Sequence, residues 1–296
     1  MALATDILQL SGGPGVGFAL LSFAFSGLND LVFKRYSLSA RSRGMLVLGI
    51  GVVWTALQLI VFGLQKEPLR FDSTTVGFGL AAGALLVVSN ILLLESFTHV
   101  DLGLGSTIYR LNTVAVVVLS FLLLDERIGA AKGAGIALGV LAVFLLSNPP
   151  ALSPHRARHA LFVGAVVAAS LFRAGYGVLT RKAMLVHVSP RPLLLVISSS
   201  WIVGGGIYAL AKDHRLTFTR EKARYSALSG TLVFLIAYFL MRAVEQGEAS
   251  VVIPIANMSF VVALAISLAT GMEKLTARKA LAVVVAVGAI VLLARA

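Results

Sequence analysis

Ten apolar stretches, each about 20 residues long and thus long enough for a helix to cross a bilayer, dominate this sequence. They are far longer than the strands of a membrane β-barrel, which cross in about 9–11 alternating residues. We therefore predict an all-α membrane protein with ten transmembrane helices. The predicted spans are residues 14–36, 44–64, 74–98, 102–124, 128–147, 160–183, 190–211, 225–244, 249–270 and 276–295.

The composition agrees with lipid as the main solvent of this chain. Hydrophobic residues make up 58% and charged residues 13%, whereas a soluble domain is usually about 45–50% apolar and about 25% charged. The net charge of +12 comes mostly from Lys and Arg at the junctions between apolar stretches, which is typical of loops that flank membrane spans rather than of a nucleic-acid interface. With no cysteine, the chain has no disulfides, Fe–S clusters or Cys-based zinc sites.

The two halves of the sequence align without a gap at a shift of 147 residues. The two tryptophans, Trp54 and Trp201, fall on each other. Further matching pairs are Gly17 and Gly164, Phe25 and Phe172, Phe71 and Phe218, Gly83 and Gly230, Ser120 and Ser267, Glu126 and Glu273, and Lys132 and Lys279. One offset that holds from the first span to the last indicates an internal duplication.

Five predicted spans in each half give the repeat an inverted topology, because an odd number makes the second half enter the membrane from the opposite side. We predict a first five-helix repeat at 1–147, a connecting loop at 148–159 and a second repeat at 160–296. In folds of this kind the substrate lies near the midplane between the repeats, which favours a transporter over a receptor or a scaffold.

An acid–base dipeptide closes span four and span nine, as Glu126-Arg127 and Glu273-Lys274, and each precedes a helix rich in small residues. This pattern resembles the drug/metabolite transporter superfamily, specifically its EamA-type ten-helix members. The resemblance implies small-solute transport through a cavity lined chiefly by spans 1, 3, 4, 6, 8 and 9. The first span departs from the commonest family pattern, a Trp-Gly-Ser/Asn core, and reads Phe25-Ser-Gly-Leu-Asn29-Asp30 instead.

Polar residues inside the spans are the candidate site, since intramembrane charges are costly and usually functional. Arg173 lies in mid-span without an acid nearby in its own helix, and it is a candidate for binding an anionic cargo group. Asp30 is a candidate for cargo or a proton, or for an ion pair with Lys34 four residues on. The candidate solute-binding residues are Asn29, Asp30, Asn90, Glu95, Tyr109, Arg110, Asn112, Arg173, Tyr176, Tyr238 and Asn257.

A helix break or kink and two charge pairs are predicted from these polar residues. Arg110 and its repeat mate Asn257 lie deep in spans four and nine, and Pro254 is expected to break span nine there or to produce a packing kink. If spans three and four form a hairpin that turns near residue 100, Glu95 and Arg110 lie at similar depths, and we predict a charge pair between them. Arg242 and Glu245, three residues apart near a helix end, are interpreted as a structural pair.

We therefore expect a secondary transporter that moves a small organic solute by alternating access, most naturally an amino acid or another carboxylate-bearing metabolite. The alternatives are an exporter of cationic drugs or quaternary amines bound at Asp30 or Glu95, and an integral membrane enzyme. No catalytic residues are predicted, because no HExxH or G-x-S-x-G motif is present. No cofactor and no metal are predicted either.

The expected partners are the solute, the lipid bilayer and, as an open alternative, protons, with the chain a monomer or weak dimer. The expected location is a bacterial-type inner (plasma) membrane. The junctions on the side opposite the termini carry more Lys and Arg, which by the positive-inside rule places the termini outside. The family resemblance implies cytoplasmic termini, and this second orientation is the one we predict.

Overall fold

A computed structural model describes residues 14–37, 42–65, 71–96, 108–146, 156–214, 216–269 and 275–295, and all regular structure within these ranges is helical. The helices are α1 (Pro14–Ser37), α2 (Arg43–Gln65), α3 (Ser73–Ser96), α4 (Asn112–Leu124), α5 (Ala130–Leu146), α6 (Arg156–Leu185), α7 (Pro190–Asp213), α8 (Arg220–Gln246), α9 (Ala249–Asn257), α10 (Phe260–Ala269) and α11 (Ala277–Ala294). α6 begins inside the predicted connecting loop.

The predicted all-α membrane protein with ten helices is confirmed. Eight helical segments of the described chain are long and apolar enough to cross a membrane. Two shorter apolar helices, Ile108–Leu124 and Ala130–Leu145, complete the ten. The helices α9 and α10 together form one of the eight long segments, Ala249–Ile266, which accounts for eleven helices in ten spans.

Spans four and nine are each interrupted near their middle. Span nine breaks at Met258 and Ser259, and span four breaks at Leu111, the position 147 residues before Met258. We predicted a break or kink at Pro254, but the helix continues through the proline and breaks four residues later. The position equivalent to Pro254 in the first half is Thr107, so a proline does not account for a break that both halves share.

The described helices pack into two bundles that interleave the halves of the sequence. The first bundle contains α1, α2, α8, α9 and α10, and the second contains α3, α4, α6 and α7. The bundles meet chiefly where α2 packs on α7 and α4 packs on α9, while α5 and α11 pack on each other at the periphery. A shift of 147 residues converts each bundle into the other, so the packing units are not the sequence halves themselves.

Individual contacts recur at the same shift. Gly83 lies against Ile197 and Ser200, and Gly230 lies against Ile50 and Val53, which are the equivalent positions. The repeat-related Trp54 and Trp201 contact each other, with ring centroids 5.9 Å apart and the rings at 78°. A residue that touches its own repeat mate lies beside the axis that would relate the repeats. Such contacts are expected wherever a two-fold axis relates two repeats, and the inverted topology stays a prediction.

The close approach of α2 and α7 depends on glycine, and we expect Gly205→Ala to destabilise the protein. A Cβ atom at Gly205 would lie 2.9 Å from the Cα atom of Leu48, which is backbone and cannot turn aside. Overpacking of this kind typically costs about 1–3 kcal/mol. Thermal unfolding of the purified protein in detergent should therefore show a lowered midpoint.

Gly63→Ala is the matched control on the same helix pair. Apart from its own stretch of helix, no described atom lies within 4 Å of a Cβ at Gly63, and alanine is the better helix former. The control should unfold at or slightly above the wild-type temperature. Equal midpoints for the two variants would contradict the assignment of Gly205 to the helix contact.

Candidate functional site

Arg110 is the centre of a polar cluster between the two bundles. Its Nη2 atom donates to Asp30 Oδ2 at 2.8 Å, and its Nη1 atom donates to the carbonyl oxygen of Asn257 at 2.9 Å and to Ser259 Oγ at 3.2 Å. Ser259 Oγ in turn donates to Asp30 Oδ2 at 3.1 Å. The cluster therefore joins α1, the break in span four and the break in span nine.

The same cluster contains a second, amide-centred set of hydrogen bonds. Asn257 Nδ2 donates to Asn112 Oδ1 at 2.6 Å and to Thr113 Oγ1 at 3.4 Å. Under the 147-residue shift, the bond from Asn257 to Asn112 is the equivalent of the bond from Arg110 to Ser259. Each half thus supplies a donor just before its break. In both cases the donor binds the residue two positions after its own repeat mate in the other half.

The helix breaks explain why polar groups gather here. Where α9 ends, its last carbonyl groups lose their partners in the helix, and the Arg110 guanidinium binds the one at Asn257. A cation at the C-terminus of a helix is also favoured by the helix dipole. The guanidinium lies over the ring of Phe260, with 5.2 Å from its Cζ atom to the ring centroid. In lipid such freed backbone groups are tolerated only inside protein or beside water.

The charges of this cluster differ in exposure. The side chain of Arg110 is 19% exposed and that of Asp30 is 37% exposed, although both meet across the bundle interface. Asn112 and Ser259 are buried. Asp30 therefore keeps part of its carboxylate open while one oxygen accepts from Arg110, and the second repeat has Gly177 at the equivalent position. Only the first half of the sequence therefore supplies a carboxylate at this position.

The predicted charge pair between Glu95 and Arg110 is wrong. Glu95 instead accepts from Arg43 at 3.0 Å, from Tyr208 at 2.6 Å and from Lys212 at 3.0 Å. The prediction assumed that spans three and four are neighbours, but α3 and α4 both pack on α6. Arg110 pairs with Asp30 from α1 instead.

Arg173 lies on α6 with its guanidinium 5.4 Å from the ring centroid of Tyr176. It is half-buried, and in the described part of the chain no carboxylate forms an ion pair with it. Tyr176 is buried. Among the described residues, the printed contact of this cation is therefore with an aromatic ring and not with a carboxylate.

Arg242 and Glu245 form the local ion pair that the spacing predicts, at 2.9 Å within one helix. The Arg242 side chain is 42% exposed. This supports the structural interpretation of the pair. The alternative partner of Asp30, the side chain of Lys34, lies outside the described residues.

The remaining predicted residues contact protein groups. Asn29 Oδ1 accepts from Ser229 Oγ at 2.6 Å across α1 and α8, and Asn90 Nδ2 donates to the carbonyl of Leu86 in its own helix at 2.8 Å. These two amides therefore serve helix packing in this structure.

The two other predicted tyrosines lie in different surroundings. Tyr109, which precedes the central Arg110 in the sequence, has its Oη atom 3.3 Å from Ser89 Oγ. Tyr238 packs on Phe239 at 5.4 Å and on Phe234 at 6.3 Å between ring centroids. Tyr109 is thus near the central cluster, whereas Tyr238 belongs to an aromatic group on α8.

Sequence reasoning missed Thr113 and Ser259, which complete the central cluster. Ser259 lies 147 residues after Asn112, so the repeat register applied to a predicted site residue points to it. Among the described residues, no group of three or more His, Asp or Glu side chains is arranged to hold a metal ion.

Ten apolar helices with a polar cluster between two bundles place this chain among integral membrane proteins. Residues 13–148 match the sequence model of the EamA-like transporter family. This match confirms the resemblance to EamA-type members of the drug/metabolite transporter superfamily. Members of the EamA family are transporters of small solutes rather than enzymes.

Comparison with solved structures supports the fold over nearly the whole chain. One structure, titled only "Crystal structure of protein", superposes with a TM-score of 0.77 at 15% sequence identity and covers 93% of this chain and 95% of its own. At that identity the likeness concerns the fold alone. No curated protein sequence matches the chain significantly.

Proposed function

We propose that this protein is a secondary transporter that moves a small organic solute carrying a carboxylate, such as an amino acid, by alternating access. The observation that carries the proposal is the pairing of the intramembrane charges. Asp30 pairs with Arg110, Arg242 with Glu245, and Glu95 with Arg43 and Lys212. Arg173 is left half-buried without a described carboxylate.

A cation deep in a bundle needs an anionic partner, because its desolvation is costly. A solute carboxylate meets that need in the bidentate geometry that a guanidinium favours. The partly open carboxylate of Asp30 suits a cationic group on the same solute. The site thus favours a molecule with both charges over a purely cationic drug.

The proposal includes the finer features that follow from the sequence. The two five-helix units form an inverted repeat, and the protein lies in a bacterial-type inner membrane with cytoplasmic termini. Because no nucleotide-binding motif is present, transport runs on solute gradients or on proton coupling. Asp30 is the acid we assign to such coupling, since Glu95 is held by three donors.

The test is a ligand screen followed by a transport assay. Purified protein is heated with a panel of amino acids, other carboxylates and quaternary amines, because a ligand that binds the native state raises the apparent stability. Compounds that stabilise are then measured for counterflow in proteoliposomes. Stabilisation and counterflow by carboxylates support the proposal, whereas a response to quaternary amines alone would favour the cationic-drug alternative.

A further inference from the structure

Polar contacts cross the boundary between the two bundles at both ends of the molecule as well as at the centre. At one end, which we call the Glu126 end, Glu126 and Arg181 of the second bundle contact the backbone of α9 and α8 in the first bundle. At the other, which we call the Glu95 end, the contact involves Glu95 and Arg43. Neither contact includes a residue of the central cluster.

At the Glu126 end, a carboxylate of the second bundle caps a helix of the first. Glu126 Oε1 accepts from the backbone N–H of Ala249, and Oε2 accepts from that of Ser250, both at 2.9 Å. These are the first two residues of α9, whose N–H groups have no partner within the helix. The Glu126 side chain is only 6% exposed, and its charge is favoured by the helix dipole.

Arg181 strengthens the same contact from α6. Its Nε atom lies 3.9 Å from Glu126 Oε1. Its Nη1 atom donates to the backbone carbonyls of Val244 and Glu245, the latter at 3.3 Å, where α8 ends. The second bundle therefore holds the end of α8 with a cation and the start of α9 with an anion.

At the Glu95 end, an ion pair crosses between the bundles. Arg43 at the start of α2 donates to Glu95 at 3.0 Å. Tyr208 and Lys212 belong to the same bundle as Glu95 and orient its carboxylate from α7. This contact is more open to solvent, with side-chain exposures of 31% for Arg43 and 24% for Glu95.

The two contacts lie at opposite ends of the helices. Ser89 of α3 donates to the carbonyl of Ala169 in α6, and Leu85 lies against Gly175, so the two helices are antiparallel. Arg181, late in α6, therefore lies at the end where α3 begins. Glu95 lies where α3 ends.

We propose that Glu126 and Glu95 are the latches that close the two ends of the transport path in turn. The proposal rests on the proposed alternating-access function. Opening the Glu126 end separates α4 from α9 and breaks the cap, while opening the Glu95 end separates α3 from α2 and breaks the ion pair. The central Arg110 contacts remain between them as the pivot.

Single cysteines can report the opening of each end, because the chain contains no cysteine. Ser120 and Ser96 are both fully buried serines of the second bundle. Ser120 lies beside Glu126, whose N–H donates to its carbonyl, and Ser96 follows Glu95. Ser120→Cys and Ser96→Cys each place one thiol at one end, and the rate of reaction with a polar maleimide is measured on purified protein.

We expect Glu126→Gln to speed the labelling of the thiol at position 120 by about tenfold, because loss of the cap raises the population of the state that is open at this end. The labelling rate of the thiol at position 96 should not change. Glu95→Gln should do the reverse. Asp72→Asn is the matched control, because its carboxylate accepts from Thr75 within the start of α3 and belongs to neither contact. It should change neither rate.

Loss of a nearby negative charge by itself raises the fraction of reactive thiolate, so partner variants are needed. Arg181→Gln and Arg43→Gln remove a nearby cation, which on electrostatic grounds alone slows labelling, whereas release of a latch speeds it. They also serve if Glu126→Gln does not fold. Unchanged or slower labelling in these variants, or equal acceleration at both ends, would overturn the proposal.

The labelling assay needs no solute, which separates this proposal from the proposed function. Faster labelling confined to the end whose latch is removed, in a protein that moves none of the tested solutes, would keep the latches and reject the solute class. Counterflow without any end-specific labelling would keep transport and reject the latches.

Discussion

Replacing Arg173 with glutamine is expected to abolish transport of a carboxylate solute while the purified protein stays folded. The substitution removes the charge and shortens the side chain but keeps it polar. Because Arg173 has no ion-pair partner among the described residues, its loss leaves no carboxylate of the described chain unpaired. The measurements are counterflow in proteoliposomes and the thermal unfolding midpoint. Counterflow should fall at least about 100-fold, a loss typical of a missing charge-assisted contact worth about 3 kcal/mol.

Arg173→Lys separates charge from shape, and Arg242→Gln serves as the matched control. Lysine keeps the positive charge but loses the planar pair of donors, so partial activity would indicate charge attraction alone, and none would indicate bidentate binding. Arg242 lies in an exposed pair within one helix, and exposed pairs contribute about 0–1 kcal/mol. Full transport by Arg173→Gln, or an equal loss of transport in Arg173→Gln and Arg242→Gln, would contradict a role of Arg173 in solute binding.

The ten spans and the equivalence of Arg110 and Asn257 are the parts of the structure that the sequence predicts best. Helix length and apolar content are local properties, so they follow from the bilayer thickness. The 147-residue shift predicts that Arg110 and Asn257 are equivalent, and the structure brings them into direct contact at 2.9 Å. Near an axis that relates two repeats, a residue lies close to its own repeat mate. The repeat register alone can therefore predict neighbours for such residues.

The partners of the other charges depend on helix packing that a sequence pattern does not contain. The sequence predicts that spans three and four pair, but α3 and α4 both lie against α6. Glu95 contacts residues of α2 and α7 instead. The bundles combine helices from both halves, and hydrophobic periodicity is weak in helices that are apolar on every side. Which face of each span points inward is therefore fixed by packing alone.

A related limit concerns Glu126. In the sequence it is the acid of the dipeptide that closes span four. In the structure its carboxylate binds backbone N–H groups of α9, more than 120 residues away in the sequence. Every residue other than proline has a backbone N–H group, so a sequence motif does not show which of them a carboxylate binds. The partner of Glu126 therefore follows only from the fold.

The central ion pair gives a second large effect, on stability. We expect Asp30→Asn and Arg110→Gln each to lower the free energy of unfolding, because each leaves one charge or polar group without its partner. Arg110→Gln should be the more damaging, by about 1–2 kcal/mol, since it also frees the carbonyl of Asn257 and the hydroxyl of Ser259. Denaturation of the purified protein in mixed micelles measures both values.

The double variant then distinguishes a true pair from two independent polar residues. If Asp30 and Arg110 stabilise each other, the double variant loses less than the sum of the single losses, by about 1–3 kcal/mol. The same cycle on Arg242 and Glu245 should give about 0.3–0.5 kcal/mol, as for other pairs along an exposed helix. The contrast follows from position, since one pair joins two bundles and the other lies within one helix. Additive losses at Asp30 and Arg110 would mean that the 2.8 Å contact does not stabilise the folded protein. The bundles would then be held together at mid-depth by the amide contacts of Asn257.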